Sequence, residues 1–159
     1  MNTLLLKHVG ALKNYGTLKS FTHKCIYKNH TCGDKVTIYL KISKKIIEKI
    51  SYKTESCLIC QASCSIFSDC VKNKSLNTII NFTELFINSI FKKKISLSGK
   101  WKKYNFLLKK DYFNRKSCIL VPFNALIKIS TPTTNERYMN SVSMMLMEKH
   151  ICYHNIKIK

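Results

Sequence analysis

Lys35-Val36-Thr37-Ile38-Tyr39-Leu40-Lys41-Ile42 alternates apolar and polar side chains, with Val36, Ile38, Leu40 and Ile42 on one face of an extended chain. Ser43-Lys44 turns the chain, and Ile46 to Lys53 follows as a second strand, antiparallel by proximity. A tight hairpin brings its two ends together. Cys32-Gly33-Asp34 stand at the entrance of this one and Cys57 just past its exit, so the hairpin groups two thiols and a carboxylate that are distant in sequence.

The remaining elements are read around that hairpin. Phe21 to Lys28 suits another strand, giving about three antiparallel strands. Residues 2–10 suit an N-terminal helix, and Asn14-Tyr15-Gly16 a turn. Ala62 to Val71 changes to helical spacing, with Ala62, Ile66 and Cys70 on one side. Thr78 to Phe91 places Ile79, Phe82, Phe86 and Ile90 for burial. A last core helix covers roughly Ile119 to Ile129 with Phe123, Leu126 and Ile127 inward, and Pro122 is expected to delay its start. Residues 92–116 hold ten basic residues and one acidic one, Asp111, and read as short strands or an excursion loop. The fold class is α+β, a small antiparallel sheet packed on one side by helices. The expected domain spans 1–130, and 131–159 form a C-terminal extension, helical over Met139 to Met147 and then frayed.

A length of 159 residues suits one domain, and 45% apolar residues suffice for a core. No apolar run reaches the roughly eighteen residues of a membrane span. The start, MNTLLLKHVGALKNYG, has too short an apolar run for a signal peptide. A cytoplasmic setting is therefore expected, with the eight cysteines reduced and available for metal or catalysis. The net charge of +20 invites a nucleic-acid partner. The basic residues are nearly all Lys, however, with only Arg115 and Arg137, and Arg does most base-edge and bidentate phosphate work. The Lys excess suits attraction to an acidic protein partner better.

Thiolates and a carboxylate suit a tetrahedral Zn²⁺ shell. Gly33 permits the bend that aims Cys32 and Asp34 the same way. Cys57 lies where sheet gives way to helix, and helix N-terminal amides lower a thiol pKa. Cys118 stands in the same relation to the last helix, with Arg115 and Lys116 nearby to favour its thiolate. Cys32, Asp34, Cys57 and Cys118 thus make one candidate set of four ligands; buried, inert thiols are the other reading of the same residues. A rival constellation is Cys57-Leu58-Ile59-Cys60, with Cys64 four residues on. A thioredoxin-like site would want a βαβ context that the hairpin does not supply. Cys60 and Cys64 therefore read as packing residues, as do Cys25, Cys70 and Cys152. Among His8, His23, His30, His150 and His154, His30 is the best placed as a further ligand and His8 reads as structural. Asp69 and Glu84 form no carboxylate pair. GxGxxG, GxxxxGK[ST] and HExxH are absent, which argues against nucleotide binding and zinc-protease chemistry. Met144-Met145-Leu146-Met147 suits core or an adhesive surface.

Three ordered segments resemble the iron–sulfur cluster assembly scaffold family of NifU N-terminal domains and IscU, most of all its SufU branch. Asn29-His30-Thr31-Cys32-Gly33-Asp34 is similar to the family's Asn-Pro-x-Cys-Gly-Asp. Ser56-Cys57-Leu58-Ile59-Cys60-Gln61-Ala62-Ser63-Cys64-Ser65 is similar to Gly-Cys-x-Ile-Ser-x-Ala-Ser-x-Ser. Arg115-Lys116-Ser117-Cys118-Ile119-Leu120-Val121-Pro122-Phe123-Asn124-Ala125-Leu126 is similar to Arg-Ile-Lys-Cys-x-x-Leu-x-Trp-x-Ala-Leu. The likeness covers roughly 3–130. The spacing of Gly99 from Cys118 resembles the insertion of the SufU branch. Cys60 takes a position usually held by Ser. Ser56 replaces a Gly, His30 a Pro and Phe123 a Trp. Ser117 precedes Cys118 where the IscU branch has His and the SufU branch Lys, so no histidine ligand stands there.

The resemblance implies a scaffold or zinc-dependent sulfur acceptor rather than a hydrolase or oxidoreductase. Its metal ligands would be Cys32, Asp34, Cys57 and Cys118, holding Zn²⁺ or a transient [2Fe–2S] cluster. Sulfur would come from a pyridoxal-phosphate (PLP)-dependent cysteine desulfurase to Cys32, with Cys118 the alternative acceptor, and pass to recipient Fe–S apoproteins or downstream Suf assembly proteins. Asp34 would hold metal more loosely than a thiolate. The chain would act as a monomer or weak dimer, off the membrane. A different reading of the same residues is a zinc-stabilised basic interaction module that touches nucleic acid through 92–116.

Overall fold

The computed structural model describes residues 3–91, 95–130 and 152–154. The elements are α1 (Thr3–Val9), β1 (His23–Lys28), β2 (Lys35–Ser43), β3 (Ile46–Glu55), α2 (Leu58–Val71), α3 (Leu76–Ile90), α4 (Lys116–Ser130) and β4 (Cys152–His154). Two 3-10 helices, Gly99–Tyr104 and Lys110–Arg115, occupy the stretch expected to be short strands or loop. The region expected to be helical over Met139 to Met147 lies outside the described residues. Among the described residues no helix is long and apolar enough to cross a membrane.

The sheet is antiparallel in the order β3-β2-β1-β4. A fourth strand therefore joins the three expected, supplied from the C-terminal stretch. Lys44 and Lys45 both take positive φ, 47° and 62°, the two-residue turn whose twist matches the strands it joins. Such a backbone costs an L-residue about 1–2 kcal/mol. The tip is held there by α2–α3 connections: Leu76 N–H to the Lys45 carbonyl at 2.8 Å, Ile47 N–H to Lys74 at 3.0 Å and Asn73 N–H to Ile47 at 2.8 Å. The register steps from Lys41↔Lys49 to Ile42↔Ile47, leaving Glu48 over as a bulge. That bulge is why Ile42 ends half-buried while Val36, Ile38 and Leu40 are fully buried.

Helices cover the face that carries Val36, Ile38 and Leu40. α2 starts four residues earlier than its apolar spacing suggested and is buried nearly all round, with Ala62, Ile66 and Cys70 in the core as expected. Its buried serines are satisfied locally: Ser63 Oγ donates to the Ile119 carbonyl at 2.6 Å and Ser68 Oγ to the Ser65 carbonyl at 2.8 Å. α3 buries Ile79, Phe86 and Ile90. Its Phe82 stacks on Trp101 with 4.0 Å between centroids, in an aromatic cluster completed by Phe67, Tyr104 and Phe123.

Pro122 does not delay α4, which begins at Lys116 and carries Pro122 in its interior. Burial of Val121, Pro122 and Phe123 against the aromatic cluster and α2 outweighs the lost N–H. Phe123 and Leu126 point inward as expected. Ile129 rather than Ile127 is the last buried residue, because the inward face follows Ala125 and Leu126 at helical spacing.

Candidate functional site

The loop from β1 to β2 is built by Asn29. This buried side chain accepts the Thr31 N–H on Oδ1 at 3.1 Å, and its carbonyl accepts the Gly33 N–H at 2.7 Å. The Asn29 N–H closes the loop on the Asp34 carbonyl at 2.7 Å. Gly33 sits at φ 76°, which a side chain would strain. Cys32 and Asp34 are thereby aimed to the same side, toward the start of α2. Asn29 was read from sequence only as part of a motif; an Asn four residues before a Gly is the signal for its turn-forming role.

Cys57 is the residue before α2, in extended conformation. Its N–H donates to Asp34 Oδ1 at 2.8 Å and its thiol to Oδ2 at 3.3 Å. Cys118 comes from the first turn of α4, delivered by the packing of α4 on α2 and β1. The Cys32 and Cys118 sulfurs and an Asp34 oxygen all lie within 4.8 Å of one another. The four residues from three separated stretches therefore converge. Thiolates about 2.3 Å from a tetrahedral ion lie roughly 3.8 Å apart, so the cluster is compact enough to coordinate one metal ion after small side-chain adjustments.

Burial by itself would raise the Asp34 carboxyl. The Cys57 amide and the thiols of Cys32, Cys57 and Cys118 reverse this and hold it below the usual carboxylate range. The Cys57 thiol is lowered to about 7, first by the Cys118 thiol proton turned toward it and then, against burial, by the Cys60 amide at the helix start. Cys118 is raised, by that same pairing with Cys57 and then by burial. This corrects the expectation that Arg115 and Lys116 favour a Cys118 thiolate. Arg115 is exposed, and the Lys116 ammonium lies over the Phe91 ring at 5.6 Å. Cys32 is raised, chiefly by burial. In the metal-free chain Cys57 is thus the most readily ionised thiol of the set.

Other sequence candidates fall elsewhere. Cys60 is buried against Cys64 within α2 and raised well above the ordinary thiol range by that contact and by burial. Cys25 and Cys70 are buried in the core. His8 stacks on Phe106 at 5.6 Å, the structural role expected of it. His30 is exposed on the loop, and His23 lies in β1 beside Thr22. Cys152 and His154 are in β4, and His150 and Met144–Met147 are outside the described residues. Asp69 is taken by Asn14 and Lys103, not by a second carboxylate.

The family model of the NifU-like N terminal domain matches residues 2–103. That match contains Cys32, Asp34 and Cys57 and stops short of Cys118, which the fold brings in. The zinc-dependent sulfurtransferase SufU of Bacillus subtilis is 31% identical over 58 residues, 36% of this chain and 40% of that protein. The iron-sulfur cluster assembly scaffold protein IscU of Thermotoga maritima is 28% identical over 80 residues, 50% of this chain and 56% of that protein. The chain thus spans about half the length of these relatives. The crystal structure of the N-terminal part of a NifU-like protein from Brucella abortus shares the fold, with a TM-score of 0.70 at 21% identity over 80% of this chain and 90% of that one.

Proposed function

The chain belongs to the NifU-like N-terminal domain family, with relatives among the IscU and SufU proteins, and from that membership we propose that it accepts persulfide sulfur for iron–sulfur cluster assembly. The sulfur donor is a PLP-dependent cysteine desulfurase and the acceptor is Cys32. The observation that carries this assignment is access. Cys32 is half-exposed at the mouth of the cluster, whereas Cys118 is 1% exposed beneath it.

The Cys32 thiolate attacks the outer sulfur of the desulfurase's Cys–S–SH. The S–S bond breaks, the desulfurase cysteine leaves as a thiolate, and Cys32 carries the sulfane sulfur as a persulfide, with no net oxidation. Cys32, Asp34, Cys57 and Cys118 fit Zn²⁺ by donor type and spacing; bound there, it would keep the thiolates deprotonated and shielded until a partner docks. Asp34, the one oxygen donor, is the ligand that yields most easily. The recipients of the sulfur are Fe–S apoproteins or downstream assembly proteins, and a [2Fe–2S] cluster assembled on the four residues is cargo of the same site.

The test combines metal analysis of the purified chain with desulfurase turnover measured with and without it. Stimulation of turnover and a persulfide mapped to Cys32 by mass spectrometry are expected. A Cys32→Ser chain that accepts sulfur at the wild-type rate overturns the assignment. Anaerobic addition of iron and cysteine, followed by absorbance and sulfide assay, separates cluster building from sulfur relay.

A further inference from the structure

The pairing of β1 with β4 sets like residues opposite like. Cys25 faces Cys152 across the ladder, and His23 faces His154. The two segments, His23-Lys24-Cys25 and Cys152-Tyr153-His154, are mirror images in sequence, so only an antiparallel register can superimpose them. Residues two apart on a strand share a face, and so do residues directly opposite. Two thiols and two imidazoles therefore occupy one face of a two-stranded ribbon. Along the strand their Cα atoms are spaced by about 6.8 Å and across it by about 4.5–5.5 Å.

We propose that His23, Cys25, Cys152 and His154 form a second metal site, separate from the Cys32 cluster, that takes a soft divalent cation such as Zn²⁺. Cys₂His₂ is a donor set that closes a tetrahedral zinc shell with no open position, which makes the site structural. Thr22 supports the role of His23. Its hydroxyl lies 2.8 Å from His23 Nδ1 and 3.2 Å from the Leu40 carbonyl, and it accepts the Ile42 N–H at 2.9 Å. With the hydroxyl proton on the Leu40 carbonyl, Nδ1–H is the donor to Thr22 and Nε2 keeps the lone pair a metal needs. Cys25 is fully buried, so the site is dry on the β1 side.

The topology gives such a site a purpose. β4 has three residues, and residues 131–151 intervene between it and α4. Three paired residues are little to offset the closure of that connection. An ion held by both strands fastens the C-terminal stretch to the edge of β1 and keeps that edge from pairing with another chain.

The experiment uses the full chain, reduced and anaerobic, with the Cys32 cluster disabled by Cys32→Ser and Cys57→Ser. Co²⁺ alone is the probe, since tetrahedral thiolate coordination colours it. The disabled chain is expected to take up about one equivalent with a tetrahedral spectrum. Adding Cys152→Ser should abolish that uptake, and adding His154→Ala should weaken it at least about tenfold, with unchanged circular dichroism in both. Uptake should also slow proteolysis beyond Ser130. A disabled chain that binds no cobalt, or uptake that survives Cys152→Ser, overturns the site. So does a Cys25–Cys152 disulfide recovered from the native protein by mass spectrometry. None of these outcomes bears on sulfur transfer at Cys32, which is assayed with that cysteine intact.

Discussion

Asp34 Oδ1 holds the backbone N–H of Cys57 at 2.8 Å, so one carboxylate is both a donor of the thiol cluster and the cap of α2. Cys57 makes no side-chain cap bond of its own, and a helix N-terminus left without a partner is destabilised. Removing Asp34 should therefore cost stability even where no metal is bound. Asp34→Ala is expected to lower the unfolding free energy of the zinc-free, reduced chain by about 1.5–3 kcal/mol, the range for a hydrogen bond to a charged group. Asp34→Asn, which keeps an acceptor oxygen, should lose less. Urea titration measures both. Equal stability of Asp34→Ala and wild type would show that the carboxylate serves the cluster only.

The same carboxylate works against ionisation of Cys57, while the Cys118 thiol favours it. In metal-free protein the Cys57 thiol should alkylate half-maximally near pH 7. Replacing Cys118 by Ala removes the largest cause of that lowering and should move the midpoint up toward 9. Asp34→Asn should move it further down. Rates of iodoacetamide labelling against pH, resolved by peptide mass spectrometry, give the three midpoints. A midpoint unmoved by Cys118→Ala would break the proposed coupling.

The hairpin and the four converging residues were legible because alternation and chain proximity are local properties. Cys32, Asp34 and Cys57 are joined by a single antiparallel pair, and the loop glycine marks the bend. Cys118 needed more, since its place depends on how α4 packs on α2 and β1; the likeness around Cys118 pointed to it where spacing alone left alternatives. The protonation pattern was not legible. Arg115 and Lys116 are near Cys118 in sequence, but one is exposed and the other sits on Phe91, so the nearest charges along the chain are not the ones that act. Pro122 misled for a related reason: the cost of a missing N–H is local, whereas the burial that offsets it is tertiary. β4 had no sequence signal, because three residues carry too little alternation to read.

Ser63 links the two helices that carry Cys57 and Cys118. Its hydroxyl donates to the Ile119 carbonyl at 2.6 Å, one residue past Cys118, and its own carbonyl accepts the buried Tyr104 hydroxyl at 2.7 Å. Ser63→Ala leaves the Ile119 carbonyl without that donor, and a loss of about 1–3 kcal/mol is expected. Tyr104→Phe removes the other bond and should cost about 1 kcal/mol. The two residues share one network, so the double variant should lose less than the sum. Denaturant unfolding of the four proteins measures the coupling, and strict additivity would mean that the two bonds act independently.

Alkaline stability follows from the core thiol Cys70, whose ordinary value of 9.0 is pushed up to about 12 by burial. The folded chain keeps a proton that the unfolded chain gives up above pH 9, so this contribution is fully present below 9 and drains away as pH rises toward 12. Tyr52, raised by burial from 10.0 to about 12, acts in the same direction over the upper part of that window. Cys57 has the opposite sign. Lowered from 9.0 to about 7, it favours the fold fully above 9 and loses that effect as pH falls to 7, so it is constant where Cys70 declines. The urea midpoint of the zinc-free chain should accordingly fall above pH 9. Cys70→Ala should start lower, from the space left in the core, and decline less steeply. A Cys70→Ala chain whose midpoint falls as steeply as the wild type's would assign the alkaline limb to other groups.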